Sequence, residues 1–129
     1  MTDQPLASIV ISSYNYARYL PAAIESALSQ TYPNVEVIVV DDGSVDNSAA
    51  VIRGYRHRVV PIIKENGGQA SAWNVGFRFS RGAAILFLDS DDVLLPEAVE
   101  QAARLFEDAS VAKVHWPLWD WKDSLQEAP

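Results

Sequence analysis

The sequence predicts a three-layer, Rossmann-like α/β fold, a mainly parallel sheet with helices on both faces. Two observations carry this. Short, β-branched and nearly unbroken apolar runs recur along the chain, as in strands buried on both sides. Between them lie segments with apolar residues at helical spacing, so strand and helix alternate and the crossovers are right-handed. The 129 residues suit one domain, and 49% apolar against 21% charged residues is a globular balance.

The first run, Ser8-Ile9-Val10-Ile11, ends in Ser12-Ser13-Tyr14-Asn15. A helix follows on Leu20, Ile24, Ala27 and Leu28, with Pro21 in its first turn, where the missing N–H costs nothing. The second run, Val35 to Val40, ends in Asp41-Asp42-Gly43-Ser44. Ser44 or Asp46 caps a short helix carrying Val51, Ile52 and Tyr55, weakened at its end by Gly54. The run Arg58 to Ile63 contains Pro61, which donates no ladder hydrogen bond, so it belongs at or near a sheet edge. Gln69 to Phe79 reads as a third helix, stopped near Gly82. A last strong run, Ala83 to Leu88, ends in Asp89-Ser90-Asp91-Asp92. Pro96 opens a fourth helix with Val99, Ala102, Ala103 and Phe106 on its apolar face. Val111 to Val114 reads as one more strand, followed by Trp116, Trp119 and Trp121, which either pack against protein or stack on a ligand.

Composition narrows the function classes. Ten Lys plus Arg against seventeen Asp plus Glu leave a net charge of −7, so nucleic acid is not an expected partner. The absence of cysteine excludes disulfides, thiolate metal sites and cysteine nucleophiles. The apolar runs are far short of the ~20 residues that span a bilayer, and the N-terminus lacks the basic start of a signal peptide. The expected location is the cytoplasm, free or peripheral to the inner face of the membrane.

Ligands of parallel α/β sheets bind beyond the carboxyl ends of the strands. There the polar clusters 12–15, 41–42 and 89–92 all belong, which brings five aspartates to one edge. Their mutual repulsion calls for a hard divalent cation, Mn2+ or Mg2+, which prefer carboxylate, water and phosphate oxygens. The loop Asn66-Gly67-Gly68-Gln69 opens a helix and either presents N–H groups to an anion or simply turns the chain.

The stretches SIVISSYN (8–15), LPAAIESALSQTYPNVEVIVVDDGSVDNS (20–48), NGGQASAWNVG (66–76) and RGAAILFLDSDDVLLP (81–96) together resemble the N-terminal half of the family 2 inverting glycosyltransferases of GT-A fold. The resemblance implies a single nucleotide-diphospho-sugar-binding domain over residues 1–129, incomplete relative to the full family fold and stopping after the metal-binding loop region. It implies nucleotide contacts at Ser12, Tyr14, Asn15, Asp42, Gly43, Gln69, Asn74 and Ser90, with Asp42 reading a pyrimidine N3–H and so favouring uracil or thymine. It also implies a ribose and metal site at Asp89, Asp91 and Asp92. Asp91 is on the metal, Asp92 supports or shares that role, and Asp89 is placed toward the ribose or the loop as well as in the metal cluster. Val45 stands where the family usually has Thr, which affects only local capping. The family's general base lies in a later segment, and Asp120, Asp123 and Glu127 are not matched to it.

The implied activity is metal-dependent transfer from a UDP- or dTDP-sugar to the hydroxyl of an unknown saccharide, lipid or protein acceptor. A non-catalytic or truncated donor-binding module, completed by a homodimer partner or a missing C-terminal half, is the alternative. A phosphoacceptor receiver domain is a weaker one, because the first strand ends in SSYN rather than an acidic pair.

Overall fold

The computed structural model describes residues 4–108 and residue 110. The expected strand at 111–114 and the three C-terminal tryptophans lie outside the described residues. Within them run β1 (Ala7–Ser13), α1 (Leu20–Leu28), β2 (Val35–Asp42), α2 (Ser48–Gly54), β3 (Val60–Lys64), α3 (Gln69–Phe79), β4 (Ala84–Asp89) and α4 (Ala98–Phe106). The four strands form one sheet in the order β3-β2-β1-β4, and all their pairings are parallel. The Pro61-bearing strand is at the edge, as a missing donor requires.

Helices cover both faces, and the period of two along each strand decides which residues meet which layer. Ile9, Ile11, Val37, Val39, Leu86 and Leu88 pack with Leu20, Ile24, Ile52 and Val99 of α1, α2 and α4. Val10, Ile38 and Val40 face the other way, onto Ala72 of α3, with Ile62, Trp73, Val75 and Ile85 around them. At Gly76 the helix comes so close to the sheet that a Cβ there would collide with Val10 Cγ1.

Three boundaries differ from the sequence expectation for local reasons. The strands run one or two residues further than their apolar runs, because the ladder continues through Ser12, Ser13, Asp41, Asp42 and Asp89. Strand β3 starts at Val60 rather than Arg58, since the Arg58 and Val59 N–H groups bond back to Tyr55 O. Helix α4 starts two residues after Pro96, and its Val99 N–H is held by the Gln30 side chain at 2.9 Å. Neither cap candidate for α2 holds the cap position, which is Asn47 without a side-chain cap bond. Asp46, one residue earlier, accepts the Ser48 N–H at 3.0 Å, while Ser44 is engaged by Asp41.

Among the described residues β4 pairs on one side only, with β1. Phe87 on this strand is 51% exposed and touches Trp73 of α3 edge-on. No helix among the described residues is long and apolar enough to cross a membrane.

Candidate functional site

Extending the strands through their polar ends has a direct consequence for the site. Neighbouring residues of a strand point to opposite faces, so each polar pair is split. Ser12, Asp42 and Asp89 continue the face occupied by Val10, Val40 and Phe87, the α3 side. Ser13 and Asp41 continue the opposite face.

On the α3 side a cleft of about 460 Å³ opens at the strand ends. Ser12, Tyr14, Tyr16, Asp42, Asn66, Gly68, Gln69, Asp89, Ser90 and Asp91 line it. Tyr14 and Tyr16 are 47% and 46% exposed and offer two aromatic surfaces at its mouth. Its size is within the range of small-molecule sites, ~300–1,000 Å³.

Asp42 is buried, and its carboxylate is surrounded by hydrogen-bond donors. Its Oδ1 accepts from Lys64 Nζ at 2.8 Å and from Gly67 N at 2.9 Å. Its Oδ2 accepts from Gly68 N at 2.9 Å and from Asn66 Nδ2 at 3.2 Å. Burial alone would raise the pKa of this carboxyl group, but Lys64 and the two glycine N–H groups outweigh it and hold Asp42 below the usual carboxylate range. The Asn66–Gln69 loop does present its N–H groups to an anion, and that anion is Asp42 itself.

The expectation of five converging aspartates therefore needs correction. Asp41 faces away from the cleft and closes the turn, accepting Ser44 N at 3.0 Å and Ser44 Oγ at 2.5 Å. With Asp42 neutralised by Lys64, the acidic crowd reduces to Asp89, Asp91 and Asp92. Each of these offers a carboxylate oxygen, and the three oxygens lie within 4.8 Å of one another. Asp89 has its pKa raised by partial desolvation and then by Asp91, opposed by a hydrogen bond from Gln69. Asp92 is raised by burial, then by Asp91 and Asp89. Three hard oxygen donors in mutual repulsion fit a Mg2+- or Mn2+-type ion that completes its shell with water and phosphate oxygens.

Three expected nucleotide contacts fall outside the cleft lining. Asn15, in the left-handed region at φ 58°, accepts Val45 N at 2.8 Å through its side chain and so fastens the β2–α2 loop. Gly43, at φ 77°, is a point of close approach, where a Cβ would stand 2.5 Å from Asn66 N. Asn74 is exposed on the body of α3, a turn beyond Gln69, where its carbonyl accepts Arg78 Nε at 3.4 Å. Ser12, Tyr14, Asp42, Gln69 and Ser90 do line the cleft.

Sequence reading missed Tyr16 and Lys64. The signal for Lys64 lay in strand register: it is paired with Asp42 on the last rung of β2–β3. On the opposite face Ser13 Oγ is buried with no hydrogen-bond partner among the described residues.

The family model described as glycosyl transferase family 2 matches residues 8–127. An uncharacterized glycosyltransferase of Nostoc sp. is 41% identical over 122 residues, covering 90% of this chain and 38% of that protein. The chondroitin synthase of Pasteurella multocida is 44% identical over 115 residues, covering 86% of this chain and 12% of the synthase. Among solved structures, S. aureus TarS 1–349 in complex with UDP-GlcNAc superimposes with a TM-score of 0.72 at 26% identity, covering 92% of this chain and 38% of that one. The chain thus spans well under half the length of these relatives.

Proposed function

This chain belongs to glycosyl transferase family 2, and we propose that it forms the donor-binding part of a metal-dependent enzyme moving a sugar from a UDP- or dTDP-sugar to an acceptor hydroxyl. One observation carries the reading. Ser12, Asp42 and Asp89, from three different strands, reach the same cleft, with Asp91 at its rim.

The nucleoside end belongs at Asp42, between Tyr14 and Tyr16. A pyrimidine imide N–H takes the place of Asn66 Nδ2, the longest of the four bonds to Asp42, while Asn66 keeps its 3.0 Å bond to Asp42 O. The carboxylate then holds a charge-assisted hydrogen bond to uracil or thymine, which cytosine, without that proton, cannot make. Lys64 and the glycine N–H groups keep Asp42 ionised for this role. Asp89, Asp91 and Asp92 hold Mn2+ or Mg2+ at the diphosphate end. When bound, the ion supplies Lewis-acid stabilisation of the diphosphate leaving group. No general base is assigned among the described residues, and Asp120, Asp123 and Glu127 lie outside them. The acceptor is a hydroxyl of a saccharide, lipid or protein.

A thermal-shift panel of UDP, dTDP, CDP and GDP, each with and without Mn2+, tests the proposal. UDP and dTDP should raise the midpoint, and more with Mn2+ present. A ligand at a hundredfold excess over Kd adds roughly 2.7 kcal/mol. Equal stabilisation by CDP overturns the base assignment, and equal UDP affinity without metal overturns the metal dependence. Transfer or hydrolysis of a labelled donor separates an active enzyme from a donor-binding module.

A further inference from the structure

Asp42 and Asp89 end strands that do not touch, since β1 lies between them. The loop after β3 joins them. Asp42 holds Gly67 and Gly68 by their N–H groups, and the next residue, Gln69, donates from Nε2 to Asp89 Oδ1 at 2.8 Å. An ionised carboxylate only accepts hydrogen bonds, so Asp89 selects the NH2 end of the carboxamide. The first residue of α3 is thereby tied to the acidic cluster at one end and, through two glycines, to Asp42 at the other.

We infer that Gln69 is a positioning residue for the metal site: its carboxamide fixes the Asp89 carboxylate in the orientation that shares a cation with Asp91 and Asp92. This rests on the donor-site reading above and adds a role for a side chain that itself offers the metal nothing the carboxylates lack. Gln69 neutralises no charge. It restricts the rotation of Asp89 while leaving the second lone pairs and the other oxygen free for an ion. A free carboxylate would instead swing away from Asp91, whose oxygen lies within 4.8 Å.

The test is a mutant cycle on the full chain, read by EPR titration of Mn2+ in the presence of saturating UDP, with ligand-free thermal midpoints alongside. Gln69→Leu should weaken Mn2+ binding roughly tenfold, the usual worth of a hydrogen bond to a charged group. Its ligand-free midpoint should stay within about 2 °C of the parent, as for other exposed side chains. In an Asp89→Ala background, Gln69→Leu should add less than twofold, because the group it orients is gone. Parent-like Mn2+ affinity in Gln69→Leu overturns the inference, and so does an equal loss in the Asp89→Ala background. A parent chain that binds neither UDP nor Mn2+ overturns the donor-site reading itself, a result distinct from a binding-competent parent with an unaffected Gln69→Leu variant.

Discussion

Lys64 Nζ lies 2.8 Å from Asp42 Oδ1 on the last rung of the β2–β3 ladder, and the Asp42 side chain is only 3% exposed. The cation that relieves this carboxylate is thus built into the fold. Replacing Lys64 by Met leaves a buried charge with only loop N–H groups to hold it. The expected cost is about 2 kcal/mol, the desolvation penalty of a group that has lost its main partner. Urea unfolding of Lys64→Met against the parent measures it, and a difference under about 0.5 kcal/mol would show that the loop alone satisfies Asp42.

Glu36 provides the pH dependence. It is 8% exposed in its side chain, and Oε2 accepts from Ser8 Oγ at 2.6 Å and Arg81 N at 2.7 Å. Burial would raise its pKa, but the Ser8 hydroxyl, the Arg81 N–H and the Arg81 guanidinium outweigh it and lower the value. A carboxyl whose folded pKa is depressed adds stability that is complete above its unfolded pKa of about 4.3. That stability is lost as the pH falls through the lower folded value. Asp42, shifted the same way, acts likewise from its unfolded value of about 3.9. Stability should therefore decline below about pH 4.5, and Glu36→Gln should flatten that decline while lowering stability at neutral pH. Unfolding curves across the acid range would show the two effects together.

At Gly76 the prediction is steric. A methyl group there meets Val10 Cγ1 beneath α3, and Val10 is fully buried in the sheet, so the helix must lift. Overpacking of this kind costs about 1–3 kcal/mol, despite alanine's better helix propensity. A rise in melting temperature for Gly76→Ala would contradict the close packing.

For the acidic rim, Asp91→Asn removes one of three mutually repelling carboxylates. The ligand-free chain should melt at the same temperature or higher, while the extra stabilisation that Mn2+ adds to that by UDP alone should vanish. The two effects have opposite signs, which distinguishes a metal ligand from a residue that merely supports the loop. A lower ligand-free midpoint with an intact metal response would assign Asp91 to the structure alone.

The sequence by itself determined the elements and their order. Its apolar runs are long enough to be strands only, its helical spacings fall between them, and Pro61 places β3 at the edge. It also determined that polar clusters follow β1, β2 and β4, and that Gln69 begins a helix. It did not determine which member of each polar pair faces the cleft. A period of two separates the residues of a strand into two sets, but both sides of this sheet are apolar, so the pattern is symmetric until α3 is laid on one side and α1, α2 and α4 on the other. That placement turns Asp42 toward the cleft and Asp41 away from it. It also sets Lys64 beside Asp42 and Gln69 beside Asp89, partners 22 and 20 residues apart in the chain. Such pairings arise from the register between strands and the angle at which a helix begins, and tertiary packing alone sets both.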